Sequence, residues 1–293
     1  MLFPITFSIA KEKIVDKIPE KNKILSDLIP GDTSTYIYDN EKDYYDEYKQ
    51  SYFAITKKKA GWDCLRHYEI LANGCIPLFE DMEKCPKNTL ALFPKELVLQ
   101  GKELYDTHFK TGITSEGVLK YNELCEKLLE YTRNHLTTVK MAEYVLDKVN
   151  KLDASKILFL SGDLNPDYLR CLTLHGFKEK FGTACHDYPF VPHIYKCDEN
   201  TLKTLYGKGM TYANLLDQEL HDFAHDNIVL HNIKNNYYDL IIYGSVHRGL
   251  PFIGEVLTQY SIPNIVFMCG EDIHYCNAYD RNFNFFIREI QDE

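Results

Sequence analysis

The sequence predicts an α/β fold, and two stretches of the chain carry that prediction. In the first, an apolar run at 52–56 is followed by a polar loop, a helical pattern at 64–73 and a second apolar run at 75–79. In the second, the runs at 239–243 and 264–269 enclose another helical pattern. Short apolar runs that alternate with helices are typical of parallel strands, which are buried on both faces.

Length and the repeat of this order predict two domains. The chain has 293 residues, and a domain has about 100–200. The strand and helix order begins again with an apolar strand at 156–160, after a polar stretch at 148–155. We therefore expect one domain at 1–150 and a second at 151–293, joined near that polar stretch.

The first domain divides into elements by pattern and by turn residues. Its opening run, Phe3 to Ile9, is apolar and predicts a strand. The polar stretch that follows to Leu28 is helix-like, and Pro30 with Gly31 predicts a turn. A short strand at 35–38 and a tyrosine-rich helix at 41–51 then precede the strand at 52–56.

Later elements follow from the same signals. Gly74 ends the helix at 64–73, since glycine is favoured just beyond a helix. Apolar residues recur at helical spacing from Ser115 to Val149. In the second domain, Asn165 followed by Pro166 predicts a helix that begins there and ends near Gly182.

Composition excludes several classes of function. The formal net charge is −10, whereas a general nucleic-acid binder usually carries a basic face. No apolar run approaches the roughly 18–20 residues of a membrane span, and the N-terminus lacks the pattern of a signal peptide. The nine cysteines form no C-x-x-C pair. We therefore expect a cytoplasmic protein with reduced thiols.

The loop and helix after the strand at 52–56 have the chemistry of an anion site. A loop that leaves the carboxyl end of a parallel strand is where α/β sheets bind ligands. Lys57, Lys58, Lys59 and Gly61 occupy that loop, and the next helix directs free amides and the positive end of its dipole toward it. These features suit a diphosphate.

Arg66 and Glu69 strengthen that prediction. Arg66 lies in the first helical turn, where a cation opposes the helix dipole, so an anionic partner is expected. Glu69 follows three residues later on the same face, and a carboxylate can accept both hydroxyls of a ribose. A solvated lysine run beside a surface Arg–Glu pair is the alternative interpretation.

The run from Arg66 to Pro77, R-H-Y-E-I-L-A-N-G-C-I-P, resembles the donor-site motif of GT-B glycosyltransferases. It is most similar to the CgeB-like and exostosin-like groups, and the resemblance extends over about residues 1–150. It implies two Rossmann-like domains that face each other across a cleft, with the nucleotide diphosphate sugar in the first. The residues that it assigns to the donor site are Lys57, Lys58, Lys59, Gly61, Trp62, Arg66, Tyr68, Glu69 and Gly74.

The order of the domains departs from the family. The donor domain usually comes second, but here the donor-like half comes first. The stretch Asn284 to Glu289 resembles the lead-in to a donor domain, and Phe3 to Ile9 resembles that domain's first strand. This pattern predicts a circular permutation, or a section of a longer tandem protein, and predicts that the two chain ends lie close together.

Loops of the second half supply candidates for a catalytic base. An inverting transfer needs a group that takes the proton of the acceptor hydroxyl, and Asp, Glu or His can do so. Asp163, His247, Glu271 and Asp272 follow three apolar strands, so we expect them at one edge of the sheet. Each could instead have a structural or solvated role.

Other motifs are weaker. His221 and His225 are four residues apart and could ligate a metal, but the sequence shows no third ligand. His186-Asp187 could pair an imidazole with a carboxylate, although a turn before Pro189 explains it as well. Cys185 beside His186 could suggest a metal ligand or a nucleophile, but two neighbouring loop or core residues explain the pair better. Gly207-Lys208-Gly209 is too short for a phosphate loop.

We therefore expect transfer of a sugar from a nucleotide diphosphate sugar to a glycan or other hydroxyl acceptor, with no cofactor. No two aspartates have D-x-D spacing, which favours a metal-independent reaction. The main alternative is a binding module, derived from a transferase, that recognises a nucleotide or glycan without turnover. A nicotinamide-dependent epimerase ranks last, because the chain lacks a G-x-G-x-x-G loop.

Overall fold

The computed structural model describes residues 1–272 and 280–290. Over these residues the chain is an α/β protein with one parallel sheet of three strands and one of six. The apolar runs of the sequence form the buried strands of both sheets, as the α/β prediction requires. Ile273 and His274, which belong to the predicted loop after the last of the three apolar strands, lie outside the described residues.

The smaller sheet comes from the first half of the chain. Its order is β2 (Lys23–Leu25), β3 (Ser51–Thr56) and β4 (Ile76–Phe79), with all strands parallel. Helix α1 (Glu41–Gln50) connects β2 to β3, and α2 (Leu65–Ala72) connects β3 to β4. The predicted bounds of α1, β3, α2 and β4 are confirmed to within about two residues, as the usual disagreement over element ends allows.

The larger sheet draws on both ends of the chain. In spatial order its strands are β1 (Leu2–Pro4), β9 (Asn284–Ile287), β8 (Ile265–Cys269), β7 (Leu240–Tyr243), β5 (Ile157–Leu160) and β6 (Cys185–Tyr188). From β5 the chain runs outward to β6 and then returns to β7 on the other side. Strand order therefore reverses between β5 and β7, and ligands in open parallel sheets bind beyond the carboxyl ends of strands at such a reversal.

Helices cover the strands and join the two sheets. The remaining ones are α3 (Lys95–His108), α4 (Ser115–His135), α5 (Thr138–Lys148), α6 (Tyr168–Phe181), α7 (Glu199–Thr204), α8 (Phe223–Asp226), α9 (Val229–Lys234) and α10 (Ile253–Gln259). Helix α5 packs against α6, and Thr138 Oγ1 lies 2.9 Å from His175 Nδ1 in that buried contact. One apolar core runs through both halves, so the two sheets are held together by more than their connecting chain.

The N-terminal run does not form the first strand of the smaller sheet, as the resemblance implied. Its first residues, β1, pair in parallel with β9 of the larger sheet, where the Phe3 ring stacks on Phe286 at 5.0 Å between centroids. An apolar run specifies burial but not the strand with which it pairs. The terminal strands β1 and β9 are therefore neighbours in one sheet, whereas residues 291–293 lie outside the described residues and the circular permutation stays a prediction.

Three local predictions are wrong for identifiable reasons. The helix-like stretch before Leu28 contains β2, a strand too short to show a period, and its Lys23 donates to Glu47 Oε2 of α1 at 2.7 Å. The stretch at 35–38 is not a strand, because Asp32 caps a turn at Thr33–Thr35 by accepting from Ser34 N. Helix α6 begins after Asp167, whose carboxylate accepts from Arg170 N, rather than after Asn165.

Candidate functional site

A cleft of about 830 Å³ lies where the carboxyl ends of the two sheets face each other. One wall follows β2 and β3 of the smaller sheet, and the other follows β5, β7, β8 and β9 of the larger one. The charged residues that line it are Lys59, Asp63, Arg66, Glu69, Asp167, Lys208, Arg248, Glu271, Asp272 and Arg288. The cleft is therefore at the place where parallel sheets bind ligands, with both signs of charge on its walls.

The amino end of α2 opens into this cleft. The capping position, Cys64, makes no side-chain hydrogen bond to the first turn, so the cap does not satisfy the first amides of the helix. Arg66 donates from Nη2 to the hydroxyl of Tyr36 at 2.9 Å. Its Nη1 is buried and has no hydrogen-bond partner among the described residues. A cation with an unused donor beside a helix amino end is suited to an anion.

Glu69 also lines the cleft, but it is buried and already engaged. One carboxylate oxygen accepts from the Tyr44 hydroxyl at 2.5 Å, and the other accepts from Thr211 Oγ1 at 2.5 Å. Burial raises the pKa of Glu69, and the hydrogen bonds from Thr211 and Tyr44 partly oppose that shift. A carboxylate has about four acceptor sites, of which hydrogen bonds from the described residues use two.

The lysines of the loop after β3 differ in position. All three are exposed, but only Lys59 lines the cleft. The ammonium of Lys58 lies 5.6 Å from the centroid of the Trp62 ring, while Lys57 lies beside Gly31. Gly61 lines the cleft at a tight point, since a Cβ there would come within 2.5 Å of Glu289 Oε1.

Three residues that the resemblance assigns to the donor site lie away from the cleft surface. Trp62 and Tyr68 are buried, and the Tyr68 hydroxyl donates to Asp63 Oδ1 at 2.9 Å. Gly74 lies beyond the carboxyl end of α2, at the opposite end of the helix from Arg66, with a φ of 61° that favours glycine. Trp62 and Tyr68 support the walls of the cleft, and Gly74 allows the turn into β4.

The candidate bases of the second half are only partly brought together. Glu271 and Asp272 line the cleft, whereas Asp163 and His247 are not among its described lining residues. Asp163 folds back along its own loop and accepts from Asn165 N at 2.9 Å. His247 Nε2 lies 3.3 Å from Cys269 Sγ instead.

Glu271 and Asp272 differ in their surroundings. Asp272 Oδ1 accepts from Arg288 Nη2. The Glu271 carboxylate makes no hydrogen bond or ion pair with the residues that the structure describes, and it is half-buried. Of the four predicted bases, Glu271 is therefore the one that faces the cleft without a described partner.

Sequence reasoning missed the buried charges that join the two walls. Arg288, just beyond β9, donates to the backbone oxygen of Asp63 and to Glu289 Oε1, the latter at 3.0 Å. Its guanidinium lies 4.5 Å from the centroid of the Phe7 ring. Glu289 Oε1 also accepts from Asp63 N at 2.7 Å. The sequence feature that could have predicted these charges is the pair Arg288-Glu289 directly after an apolar run.

Asp63 has a strongly shifted pKa. Its side chain accepts from Phe7 N at 2.8 Å and from the Tyr68 hydroxyl. Burial raises the pKa of Asp63 to about 7, although the charge of Arg288 acts in the opposite direction. Strongly shifted carboxyl groups in clefts are frequent in functional sites, so Asp63 belongs with the site.

Aromatic rings form a further part of the lining. The tyrosines that line the cleft are Tyr36, Tyr38, Tyr44, Tyr168 and Tyr206. The tyrosine count alone did not predict this position. Such rings offer apolar faces with a polar tip, which suits the rings of nucleotides and sugars.

The weaker motifs take other positions. Gly207 and Lys208 line the cleft, and Lys208 donates to Tyr38 O at 2.9 Å, which joins the second half to the first. His221 and His225 do not share one site, because His221 Nδ1 lies 3.0 Å from Asp187 Oδ1 while His225 stacks on His186. Cys185 is buried.

Comparison of the chain with protein-family models, with curated proteins and with solved structures finds no significant match. Of the helices in the described parts of the chain, none combines the length and the apolar character needed to cross a membrane. The site must therefore be interpreted from its own geometry.

Proposed function

We propose that this protein is a GT-B-like glycosyltransferase that moves a sugar from a nucleotide diphosphate sugar to a hydroxyl acceptor without a metal. The observation that carries the proposal is the buried Nη1 of Arg66, which has no hydrogen-bond partner among the described residues, at an amino end of α2 whose capping side chain makes no hydrogen bond. A buried donor without a partner costs about 1–3 kcal/mol, and a phosphate oxygen would remove that cost.

In this proposal the donor lies along α2. Its diphosphate contacts the first amides of the helix, Arg66 and the exposed Lys59. Its ribose hydroxyls use the two remaining acceptor sites of Glu69, about one helical turn farther along the same face. The developing negative charge on the leaving diphosphate is stabilised by the helix end and the cations, which are in place before the reaction.

The acceptor would approach from the opposite wall. Glu271 takes the proton of the acceptor hydroxyl, and the freed oxygen forms a bond to the anomeric carbon. The bond between that carbon and the diphosphate breaks, and its electron pair leaves with the diphosphate. Glu271 is assigned this role because it faces the cleft without a described partner, whereas the Asp272 carboxylate accepts from Arg288.

One observation favours the alternative of a binding module without turnover. Both oxygens of Glu69 accept from protein hydroxyls, so the ribose must share this carboxylate or displace a hydroxyl. A protein that had lost catalysis could retain such a closed arrangement. Release of free nucleotide from a donor distinguishes the two functions, because a binder releases none.

The first experiment measures donor binding. A panel of nucleotide diphosphate sugars is screened by thermal shift, since a ligand that binds the folded state raises its apparent stability. For the best ligand, Arg66→Gln should weaken binding by about 10- to 150-fold, which corresponds to loss of a charged hydrogen bond of about 1.5–3 kcal/mol. Lys127→Gln, on the exposed face of α4, removes the same charge as a control. A panel in which no donor binds would overturn the proposal.

The second experiment measures turnover. Glu271→Gln should lower kcat for donor cleavage by about 100-fold or more, the usual contribution of a general base, while the donor Kd stays within twofold. Glu199→Gln, at a carboxylate with 88% side-chain exposure, is the matched control. Equal kcat in Glu271→Gln and the parent would exclude Glu271 as the base.

A further inference from the structure

A second cluster of polar side chains lies at the outer strand of the larger sheet, away from the cleft. His186 is in β6, Asp222 caps α8, and His225 is in the first turn of α8. One ligand atom from each of the three lies within 4.8 Å of the other two. None of the three is among the described residues that line the cleft, so the proposed transfer reaction does not use this cluster.

The two imidazoles meet face to face. Their ring centroids are 3.5 Å apart and the rings are nearly parallel, at 6°. Successive side chains of a strand alternate between faces, and Asp187 pairs with Lys178 of α6. His186 therefore points to the other face of the sheet, where α8 places His225.

Free ligand atoms remain on each member of the cluster. His225 Nε2 lies 2.6 Å from the hydroxyl of Tyr238, which leaves Nδ1 available. Asp222 Oδ1 accepts from the amides of Ala224 and His225 at 3.0 and 3.1 Å, which leaves Oδ2. Neither ring nitrogen of His186 has a hydrogen-bond partner within the described parts of the chain.

From this convergence we infer that His186, Asp222 and His225 bind one divalent transition-metal ion, with Zn²⁺ the best fit. Two imidazoles and one carboxylate are a common ligand set for Zn²⁺, with water in the fourth position. Mg²⁺ and Ca²⁺ prefer oxygen ligands. The hydroxyl of Tyr238 would act on His225 as outer partners act on metal-bound histidines, by fixing the ring and its tautomer.

Binding of one ion requires the side chains of the cluster to move. Ligand bonds of about 2.0–2.1 Å in a tetrahedral site place the ligand atoms about 3.3 Å apart. One ligand atom of each residue lies within 4.8 Å of the others in the present structure, so the ligand atoms must approach and the two stacked rings must tilt until an in-plane nitrogen lone pair of each points at the ion. Asp222 and His225 are already positioned by the backbone of α8. The ion would connect α8 to the outer strand β6 and stabilise that edge of the sheet.

The experiment uses the full chain, freed of metal with a chelator that is then removed, and titrated with Co²⁺ and Zn²⁺. We expect one site per chain, with visible Co²⁺ absorption but no thiolate-to-cobalt charge-transfer band, because nitrogen and oxygen supply the ligands. This distinction matters because the chain has nine cysteines. Zn²⁺ should also raise the Tm of the parent protein.

Variants distinguish metal binding at this cluster from metal binding elsewhere on the protein. Asp222→Asn retains the capping oxygen and should weaken metal affinity by about tenfold or more, and His186→Asn by about 100-fold or more, in line with losses at metal sites. His231→Asn, at an exposed histidine of α9, should leave affinity unchanged. Circular dichroism checks folding, and Asp222→Asn decides the question if His186→Asn does not fold. Parental affinity in Asp222→Asn, or a thiolate band, would overturn the inference.

Discussion

Thr211 donates a hydrogen bond from Oγ1 to Oε1 of Glu69 at 2.5 Å, and both side chains are buried. The two residues are 142 positions apart and come from different halves of the chain. The same hydroxyl lies 2.7 Å from the Tyr45 hydroxyl of α1. Glu69 is therefore a structural link between the halves as well as a candidate ligand for ribose.

This double role makes a specific prediction for Glu69→Gln. The amide nitrogen of glutamine cannot accept from a hydroxyl, so one of Tyr44 and Thr211 loses its acceptor. We expect the free energy of unfolding to fall by about 1–3 kcal/mol and donor affinity to fall about tenfold or more. Urea unfolding and calorimetric titration measure the two quantities. Glu123→Gln, exposed on α4, is the control, and parental donor affinity in Glu69→Gln would remove Glu69 from the site.

Asp63 predicts a pH dependence of stability. Its folded pKa is about 7, raised by burial from an ordinary value of 3.8. The folded state therefore holds a proton that the unfolded state has lost, and the stability that this proton gives is lost as pH rises from about 4 through 7. Asp63→Asn removes this pH dependence because the amide does not titrate, and the amide oxygen can still accept from Phe7 N. Between pH 4.5 and 7.5 the variant should gain stability relative to the parent, by about 1.4 kcal/mol for each pH unit up to the folded pKa of Asp63.

Urea unfolding at both pH values measures this gain. Asp106→Asn, at an exposed aspartate near the end of α3, removes a carboxylate without burial and should show no such trend. A parent and an Asp63→Asn variant that respond equally to pH would show that Asp63 has an ordinary pKa.

The proposed reaction also predicts the effect of chelators. The cations and the helix end at the cleft supply the charge that a metal supplies in other transferases. Release of nucleotide from the donor should therefore continue in excess EDTA. The assay should run well below the Tm, because loss of an ion at His186, Asp222 and His225 would lower stability without touching the cleft. Loss of turnover that Mn²⁺ or Mg²⁺ restores, at unchanged folding, would contradict the proposed mechanism.

The pairing of β1 with β9 predicts how the chain can be permuted. The strands are parallel, with Leu2 opposite Phe285 and Pro4 opposite Ile287. The chain therefore enters β1 at the amino ends of the strands and leaves β9 at their carboxyl ends. A direct peptide bond cannot join the two ends, because the connection must return from the level of residue 290 to that of residue 285, a distance of about 17 Å at 3.3 Å per residue. A flexible linker of about 12 residues spans about 19 Å. With that linker and new ends at Asp153, the protein should fold and bind donor.

Circular dichroism, Tm and donor affinity test this permuted chain. A linker of two residues is the control and should give a protein that fails to fold or loses β1 from the sheet. Failure of the longer linker as well would show that the connection through 148–155 is required for folding.

Several parts of this protein follow from the sequence alone. The runs that became β3, β4, β5, β7 and β8 are apolar because both faces of a parallel strand are buried. The position of Lys59, Gly61 and Arg66 at a cleft was also predictable, because a loop after a parallel strand and the helix that follows it lie where such sheets bind ligands. These are local properties, set by residues within about one turn or one loop of each other.

Tertiary structure alone decided which sheet receives β1, and it decided the partners of Glu69. An apolar run predicts that a strand will be buried but not the strand with which it pairs. The sequence around a carboxylate likewise does not predict that it will accept from a hydroxyl 142 residues away. The pKa of Asp63 is of the same kind, because burial raises it and the charge of Arg288, which the larger sheet brings to the loop after β3, opposes that rise. Burial, long-range hydrogen bonds and charge contacts depend on folded positions, which no local pattern of residues contains.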